Sequence, residues 1–223
     1  MQANSRPVHS RQTGIHPHLA ARVALHASTI FQKPVVAHNQ RAFECSITAW
    51  QHAGRAPLIL DAGCGVGSSS RHLAARFPDH FVIGVDQSAD RLTRDVRWPH
   101  SHPENLFLVR AELSDYWRLL QQSGIALARH YLLYPNPWPK VGQLARRWHG
   151  HAVFPTVVAL GGAFECRSNW RIYVEECAAA LHQLTGCNVT AQPFVAAHAI
   201  TPFEEKYRDS GHALWHCMLH LPS

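Results

Sequence analysis

The stretch Leu58-Ile59-Leu60-Asp61-Ala62-Gly63-Cys64-Gly65-Val66-Gly67 decides the fold of this 223-residue chain. Its first three residues are apolar and predict a short buried strand that ends on Asp61. Glycine then occupies every second position, and glycine lets the backbone turn tightly and approach a ligand without an obstructing Cβ. Three serines follow at 68–70 and have the side chains that are preferred at a helix N-terminus. The stretch therefore predicts a strand, a ligand-binding turn and a helix in succession.

The rest of the chain repeats this alternation. Apolar runs, typical of strands buried on both faces, occur at 58–60, 81–85, 106–109 and 131–133, and a fifth predicted strand at 162–166 is apolar except for Glu165. Helices are predicted at 20–30, 39–52, 68–77, 116–122 and 170–184. Residues 213–221 alternate with the period of two that is typical of a strand. We therefore predict an α/β fold, Rossmann-like, with a mostly parallel twisted sheet, helices on both faces and an antiparallel C-terminal strand.

The chain divides into an N-terminal extension and one larger domain. Residues 1–52 are predicted to form a basic arm and a helical extension, and residues 53–223 the α/β domain. The first twenty residues are rich in Arg, His, Pro and Ser, which predicts a mobile arm, at least when no partner is bound.

Composition excludes several classes of protein. Hydrophobic residues make up 46% of the chain, yet no apolar run is long enough to span a membrane. The N-terminus lacks the apolar segment of a secretory signal, so we expect a cytoplasmic protein. The net charge of +6 favours an anionic partner, nucleic acid above all.

Cysteine and histidine do not indicate a metal site. The six cysteines include no Cys-x-x-Cys pair, and we interpret them as core residues in a reducing compartment. The 18 histidines lack the spacing of a zinc motif. We therefore expect no metal.

Acidic residues end three successive predicted strands. Asp61 precedes the glycine turn, Asp86 ends the second strand and Glu112 follows the third. A dinucleotide-binding turn has its third glycine three residues after the second, where this chain has Ser68. The pattern acid-x-Gly-x-Gly-x-Gly instead resembles the first motif of class I methyltransferases, which bind S-adenosylmethionine. A flavin, nicotinamide or empty Rossmann-like domain is the alternative.

This resemblance implies a set of cofactor contacts. Asp61 would face the methionine end of S-adenosylmethionine and pair with its ammonium group, and Glu112 would lie near the adenine amine. Asp86 can accept hydrogen bonds from both ribose hydroxyls. The glycines of the turn would approach the cofactor through their backbone, and they are Gly63, Gly65 and Gly67.

The segment Tyr134-Pro135-Asn136-Pro137-Trp138-Pro139-Lys140 follows the fourth strand, at the rim where open α/β sheets bind ligands. Two prolines flank Asn136 and restrict the backbone, so that its amide is held towards a substrate. Trp138 offers a face on which a flat base can stack. A proline-rich surface turn with a half-buried tryptophan is the alternative interpretation.

With motifs further along, this segment resembles the tRNA guanine-N7 methyltransferase family. That family carries Phe-Pro-Asp-Pro-Trp with a following Lys and basic cluster, then Thr-Asp-Trp, Thr-x-Phe-Glu and Gly-His. The counterparts here keep the same order within roughly residues 58–221, and they are 134–140, Arg146-Arg147, Ser168-Asn169-Trp170, Thr201-Pro202-Phe203-Glu204 and Gly211-His212. The resemblance implies a methyltransferase whose partner is tRNA.

The resemblance also implies roles for single residues. Asn136 occupies the presumed active-site position of the family and is the candidate catalytic residue as well as a cofactor contact. Arg146 and Arg147 would contact tRNA phosphates without base specificity, although the two arginines alone are typical of a solvated loop. The other implied substrate contacts are Trp138, Lys140, Asn169, Thr201 and Glu204.

Two residues depart from the family pattern, because Asn136 and Asn169 stand where the family has aspartates. Guanine presents two hydrogen-bond donors, N1–H and the exocyclic amine. A carboxylate accepts both, whereas an Asn amide accepts one and sets a donor against the other, a mismatch of about 1–3 kcal/mol if buried. Guanine N7 carries a lone pair and no proton, so methyl transfer to it needs orientation and no base.

Three hypotheses therefore stand. The first is a divergent tRNA guanine-N7 methyltransferase. The second is a methyltransferase of the same fold that acts on another base, an exocyclic amine or a small molecule. The third is an RNA-binding protein that has lost catalysis through the two asparagines.

Overall fold

The computed structural model describes residues 5–94, 98 and 102–222. Within them, seven strands form one sheet: β1 (Leu58–Ala62), β2 (Phe81–Asp86), β3 (Leu106–Arg110), β4 (Arg129–Leu133), β5 (Gly162–Ser168), β6 (Gln192–Phe194) and β7 (Leu214–Leu221). The helices are α1 (Leu19–Ala27), α2 (Ala37–His52), α3 (Ser68–Arg76), α4 (Ala89–Leu92), α5 (Leu113–Gln122), α6 (Phe154–Ala159), α7 (Arg171–Thr185) and α8 (Pro202–Asp209). Short 3-10 helices cover Val141–Arg146 and Trp148–Gly150.

The strand order is β3-β2-β1-β4-β5-β7-β6, and β7 runs antiparallel to both of its neighbours. The other neighbouring strands are parallel. This arrangement confirms the predicted Rossmann-like sheet with an antiparallel C-terminal strand. Because the order reverses between β1 and β4, a crevice opens beyond the carboxyl ends of these strands.

Burial explains why the apolar runs form the centre of the sheet. Every residue of β1 and β2 is buried, as expected of parallel strands covered on both faces. Pairing continues beyond the apolar run of β1, since Asp61 and Ala62 lie opposite Gly84 and Val85. The strand therefore extends two residues beyond the apolar run and includes Asp61.

The N-terminal helices pack on the α/β core. Helix α1 lies on α7 and buries Leu19 and Val23. Helix α2 lies on α5 and β3, where the rings of Phe43 and Tyr116 meet edge to face with centroids 5.4 Å apart. Residues 5–18, predicted to be mobile, hydrogen-bond to this core, while residues 1–4 of that arm lie outside the described residues. The division at residue 52 stays a prediction.

The interpretation of the cysteines as core residues is correct for four of them and wrong for two. Cys64, Cys166, Cys177 and Cys217 are buried, whereas Cys45 and Cys187 are exposed. In the described part of the chain, no group of three or more His, Cys, Asp or Glu side chains is arranged to hold a metal ion. No helix in residues 5–94 or 102–222 is long and apolar enough to cross a membrane.

Candidate active site

A cavity of about 730 Å³ opens beyond the carboxyl ends of the central strands. The glycine turn and the end of β2 form one part of its wall, and the loop after β4 and the start of α8 form another. The predicted site residues in this wall are Gly63, Gly65, Asp86, Glu112, Asn136, Trp138, Arg146 and Thr201. The predicted residues outside the wall are Asp61, Gly67, Lys140, Arg147, Asn169 and Glu204.

The glycine turn depends on backbone conformations that only glycine adopts easily. Gly63, Gly65 and Gly67 have φ of 82°, 59° and 74°. A Cβ on Gly67 would lie 2.6 Å from Cδ1 of Leu108, whereas a Cβ on Gly65 would meet no protein atom within 4 Å. Gly67 therefore allows the turn to pack on the sheet, and Gly65 leaves its backbone open towards the cavity.

Asp86 anchors the turn and faces the cavity. One carboxylate oxygen accepts a hydrogen bond from the Gly65 amide at 3.0 Å, and the other accepts from the Ser88 amide at 2.8 Å. The residue is only 4% exposed, and the Arg91 guanidinium lies 3.8 Å away. Because a carboxylate has about four acceptor positions, Asp86 keeps acceptor capacity for a ligand in the cavity.

Asp61 lies beneath the turn, outside the cavity wall. Its Oδ2 accepts hydrogen bonds from the hydroxyls of Ser69 and Ser70, each at 2.6 Å. Its Oδ1 is buried and has no hydrogen-bond partner among the described residues. Burial raises the pKa of Asp61 to about 6, against the two serine bonds that lower it. Within residues 5–94, 98 and 102–222, this buried acid therefore has no positively charged partner.

Glu112 is half-exposed in the cavity wall and forms a 2.7 Å ion pair with Lys33. Lys33 and Phe31 belong to the segment between α1 and α2, and both line the cavity. Arg118 holds this segment through the Lys33 carbonyl oxygen. Neither residue is predicted from the sequence, because the segment has neither a motif nor a periodic pattern that would reveal its position.

Residues 134–140, which we call the acceptor loop, have a strained backbone. Tyr134 and Trp138 have φ of 50° and 46°, which is uncommon for residues other than glycine. The exposed Asn136 accepts a 3.3 Å hydrogen bond from the Trp138 amide through its Oδ1. The guanidinium of Arg146 lies 4.7 Å from the centre of the Trp138 ring. The Trp138 ring of the loop and the neighbouring Arg146 thus place an aromatic ring and a cation together at the cavity.

A second segment of the wall begins α8. Thr201 caps the helix, since its hydroxyl accepts a 2.9 Å hydrogen bond from the Glu204 amide. The Glu204 carboxylate is fully buried and accepts from the Tyr134 hydroxyl and from Arg167, each at 2.9 Å, and from the Ile200 amide at 2.8 Å. Burial, followed by the adjacent Glu204 charge, raises the pKa of Tyr134. This corrects the prediction that Glu204 contacts the substrate, because both of its oxygens are engaged inside the protein.

Arg147 is also placed differently from the prediction. It is fully buried and forms a 2.6 Å ion pair with Glu176, with its guanidinium 4.8 Å from the centre of the Trp170 ring. Burial alone would raise the pKa of Glu176, but bonds from His149 and Arg147 outweigh it and lower that pKa to about 2. In this arrangement Arg147 cannot reach a phosphate, so its prediction as a tRNA contact is wrong.

The remaining predicted substrate contacts lie outside the cavity wall. Lys140 is exposed at the end of the acceptor loop. Asn169 is half-buried, and its Nδ2 lies 3.2 Å from Nδ1 of His212. The structure thus places Asn136 in the cavity wall, whereas Asn169 is not part of that wall.

Comparison with known proteins gives a family match. A family model described as "Putative methyltransferase" matches residues 55–217. The tRNA (guanine-N(7)-)-methyltransferase of Treponema pallidum (strain Nichols) is 28% identical over 168 residues, which cover 71% of this chain and 65% of that protein. The chain thus spans slightly less than two thirds of that relative. The Sphingopyxis alaskensis protein of the same name is 29% identical over 177 residues, covering 72% of this chain and 73% of that protein.

Solved structures resemble the fold at low identity. An antibiotic-related methyltransferase aligns with a TM-score of 0.57 at 15% identity, covering 88% of this chain and 98% of that one. A mutant 16S rRNA (adenine(1408)-N(1))-methyltransferase from Catenulisporales acidiphilia, with cosubstrate SAM, aligns with a TM-score of 0.54 at 18% identity, covering 79% and 91%. The likeness shows the class I methyltransferase fold.

Proposed function

This chain belongs to the methyltransferase family whose model matches residues 55–217, and on that premise we propose that it transfers a methyl group from S-adenosylmethionine to guanine N7 in tRNA. One observation carries the proposal. A single cavity has the glycine turn and Asp86 in one part of its wall and Asn136 and Trp138 in another. A cofactor and a base can therefore lie next to each other in one cavity, which the transfer requires.

The residues of the cavity fit S-adenosylmethionine. The backbone at Gly65 is open to the cavity, and Asp86 keeps acceptor capacity suited to ribose hydroxyls. The buried Oδ1 of Asp61 lacks a hydrogen-bond partner, so a cationic group nearby would relieve an unfavourable burial. Three acids at successive strand ends also complement a cofactor that carries a positive sulfonium.

When bound, S-adenosylmethionine supplies an electrophilic methyl carbon, and this chain supplies orientation. The acceptor loop offers the Trp138 ring, with Arg146 beside it, as a stacking platform for a base. Asn136, between two prolines, presents an amide that can orient the base edge. No side chain has to accept a proton when the acceptor is N7, so the roles of these residues are binding, alignment and exclusion of water.

Specific observations favour a second candidate, methyl transfer to a different base of RNA. Asn136 and Asn169 replace carboxylates of the family pattern, and Glu204 is engaged with Tyr134 and Arg167. The cavity wall near the acceptor loop thus offers an amide in place of the carboxylate that suits the donor edge of guanine. An amide offers both an acceptor and a donor. A base edge that presents one donor and one acceptor can therefore form both hydrogen bonds with the Asn136 amide.

Methyl transfer to RNA tests both candidates. Purified protein with methyl-labelled S-adenosylmethionine and unmodified bulk tRNA is expected to yield labelled 7-methylguanosine after nucleoside digestion and mass spectrometry. A different methylated nucleoside would select the second candidate. No transfer to tRNA or total RNA, at enzyme concentrations that bind S-adenosylhomocysteine in calorimetry, would refute both.

A further inference from the structure

Three successive backbone carbonyls of the acceptor loop accept hydrogen bonds from side chains outside the loop. The Arg147 guanidinium donates to the Trp138 carbonyl at 3.2 Å and to the Lys140 carbonyl at 3.4 Å. The hydroxyl of Ser10, in the N-terminal segment, donates to the intervening Pro139 carbonyl. Since Trp138 has a strained positive φ, the loop needs external contacts to keep this conformation.

The N-terminal segment also hydrogen-bonds to Arg147, the residue that binds the loop carbonyls. Oε1 of Gln12 accepts a 3.0 Å hydrogen bond from Arg147, and Nε2 of Gln12 donates to Glu176. The His16 amide donates to the same Glu176 carboxylate at 3.0 Å. Glu176 and Arg147 are both fully buried, so the ion pair and its partners form one network with little access to water.

The same segment also contacts residues just beyond the C-terminal end of α8. The Ser5 amide donates to the Ser210 hydroxyl at 3.1 Å, and a ring nitrogen of His212 lies 3.0 Å from the Ser5 carbonyl oxygen. Both partners lie just beyond α8, whose first turn lines the cavity. Residues 5–18 thus connect the end of α8 with the acceptor loop.

From these contacts we infer that residues 5–18 form a strap that positions the acceptor loop, with Arg147 and Glu176 as positioning residues that act through the loop backbone. None of the strap contacts described above is in the cavity wall. The strap therefore affects the position of Trp138 and does not alter the cofactor contacts. The consequence for RNA rests on the proposed function, while the link between strap and loop is a property of the free protein.

Two strap variants, Ser10→Ala and Gln12→Ala, test the inference. Their matched controls are Ser28→Ala and Gln183→Ala, since among the described residues these side chains donate to the carbonyl oxygens of Leu25 and Ala20 and not to the strap or the acceptor loop. Hydrogen–deuterium exchange, read on peptides that cover residues 134–147, is expected to accelerate about fivefold in each strap variant, the factor for one net hydrogen bond. Neither control should change it.

Kinetics and calorimetry supply the second readout. In the strap variants, kcat/KM for RNA should fall about five- to tenfold, while the KM for S-adenosylmethionine and the Kd for S-adenosylhomocysteine stay within twofold of the parent. Unchanged exchange in the loop, equal changes in the controls, or unchanged kcat/KM for RNA despite faster exchange would overturn the inference. If the parent protein methylates no RNA but exchange accelerates as expected, the strap stands and the proposed function fails.

Discussion

Among single side chains, the predicted site residue Asp61 has a buried carboxyl group that is costly to the fold. It is 1% exposed, it receives two serine hydrogen bonds on one oxygen, and its other oxygen has none. Burial raises its pKa to about 6. A folded-state pKa above the ordinary aspartate value of 3.8 means that the folded protein binds the proton more tightly than the unfolded chain does. The stability that this provides is complete below about pH 4 and is lost as the pH rises through 6.

Replacement of the acid should therefore separate stability from cofactor binding. Asp61→Asn is neutral at every pH, so the variant should exceed the parent in stability above pH 6, by about 1–3 kcal/mol at pH 8. Its affinity for S-adenosylhomocysteine should fall at least tenfold if Asp61 pairs with the ammonium group, as proposed above. Thermal melting from pH 4.5 to 8 and calorimetry measure the two effects.

The exposed Asp209→Asn serves as the control and should change neither quantity, because its ion pair with Arg208 is solvated. Parent-like binding of S-adenosylhomocysteine by Asp61→Asn would remove Asp61 from the set of cofactor contacts. A parent-like pH profile of melting would show that burial does not raise the pKa of Asp61.

Among the elements, the glycine turn contains one glycine required for packing and another that leaves space for a ligand, and the sequence does not distinguish them. Gly65 and Gly67 both have positive φ, but only Gly67 packs where a Cβ would collide with Leu108. The spacing of the glycines predicted the turn, since positive φ is a local property. It did not reveal which glycine supports packing and which faces the ligand, because Leu108 belongs to a distant strand.

Alanine at these two positions should therefore produce different defects. Gly67→Ala should lose about 2–4 kcal/mol of stability, from positive φ and from overpacking against Leu108. Gly65→Ala should lose about 1–2 kcal/mol, from positive φ alone, but its affinity for S-adenosylhomocysteine should fall at least tenfold because the methyl group projects into the cavity. Urea unfolding and calorimetry measure the two quantities.

Gly124→Ala is the matched control, since Gly124 has φ of 64°, open space around its Cβ position and a place after α5, outside the cavity wall. It should show the same loss of stability as Gly65→Ala with normal binding. Normal binding by Gly65→Ala would mean that the cofactor does not approach the turn at this glycine.

For the molecule as a whole, local apolar runs predicted most of the sheet because parallel strands are buried on both faces. Contributions from distant segments could not be predicted in this way. The strap and the segment with Phe31 and Lys33 carry no periodic pattern, and only the folded chain brings them to the site. Local chemistry also cannot separate Arg146 from Arg147, which are adjacent arginines on opposite sides of one backbone, the first exposed and the second fully buried.

The chain has a net charge of +6, and variants of these two arginines test which of the two positive charges contributes to RNA binding. Arg146→Ala should weaken RNA binding and reduce the slope of log Kd against log salt concentration by about one, with stability within about 0.5 kcal/mol of the parent. Arg147→Ala should destabilise the protein by about 3–5 kcal/mol, because the buried Glu176 carboxylate loses its partner. At temperatures where this variant is folded, its salt slope should match that of the parent. Fluorescence titrations at several salt concentrations and urea unfolding supply both numbers, and a stable Arg147→Ala with a reduced slope would contradict the burial described here.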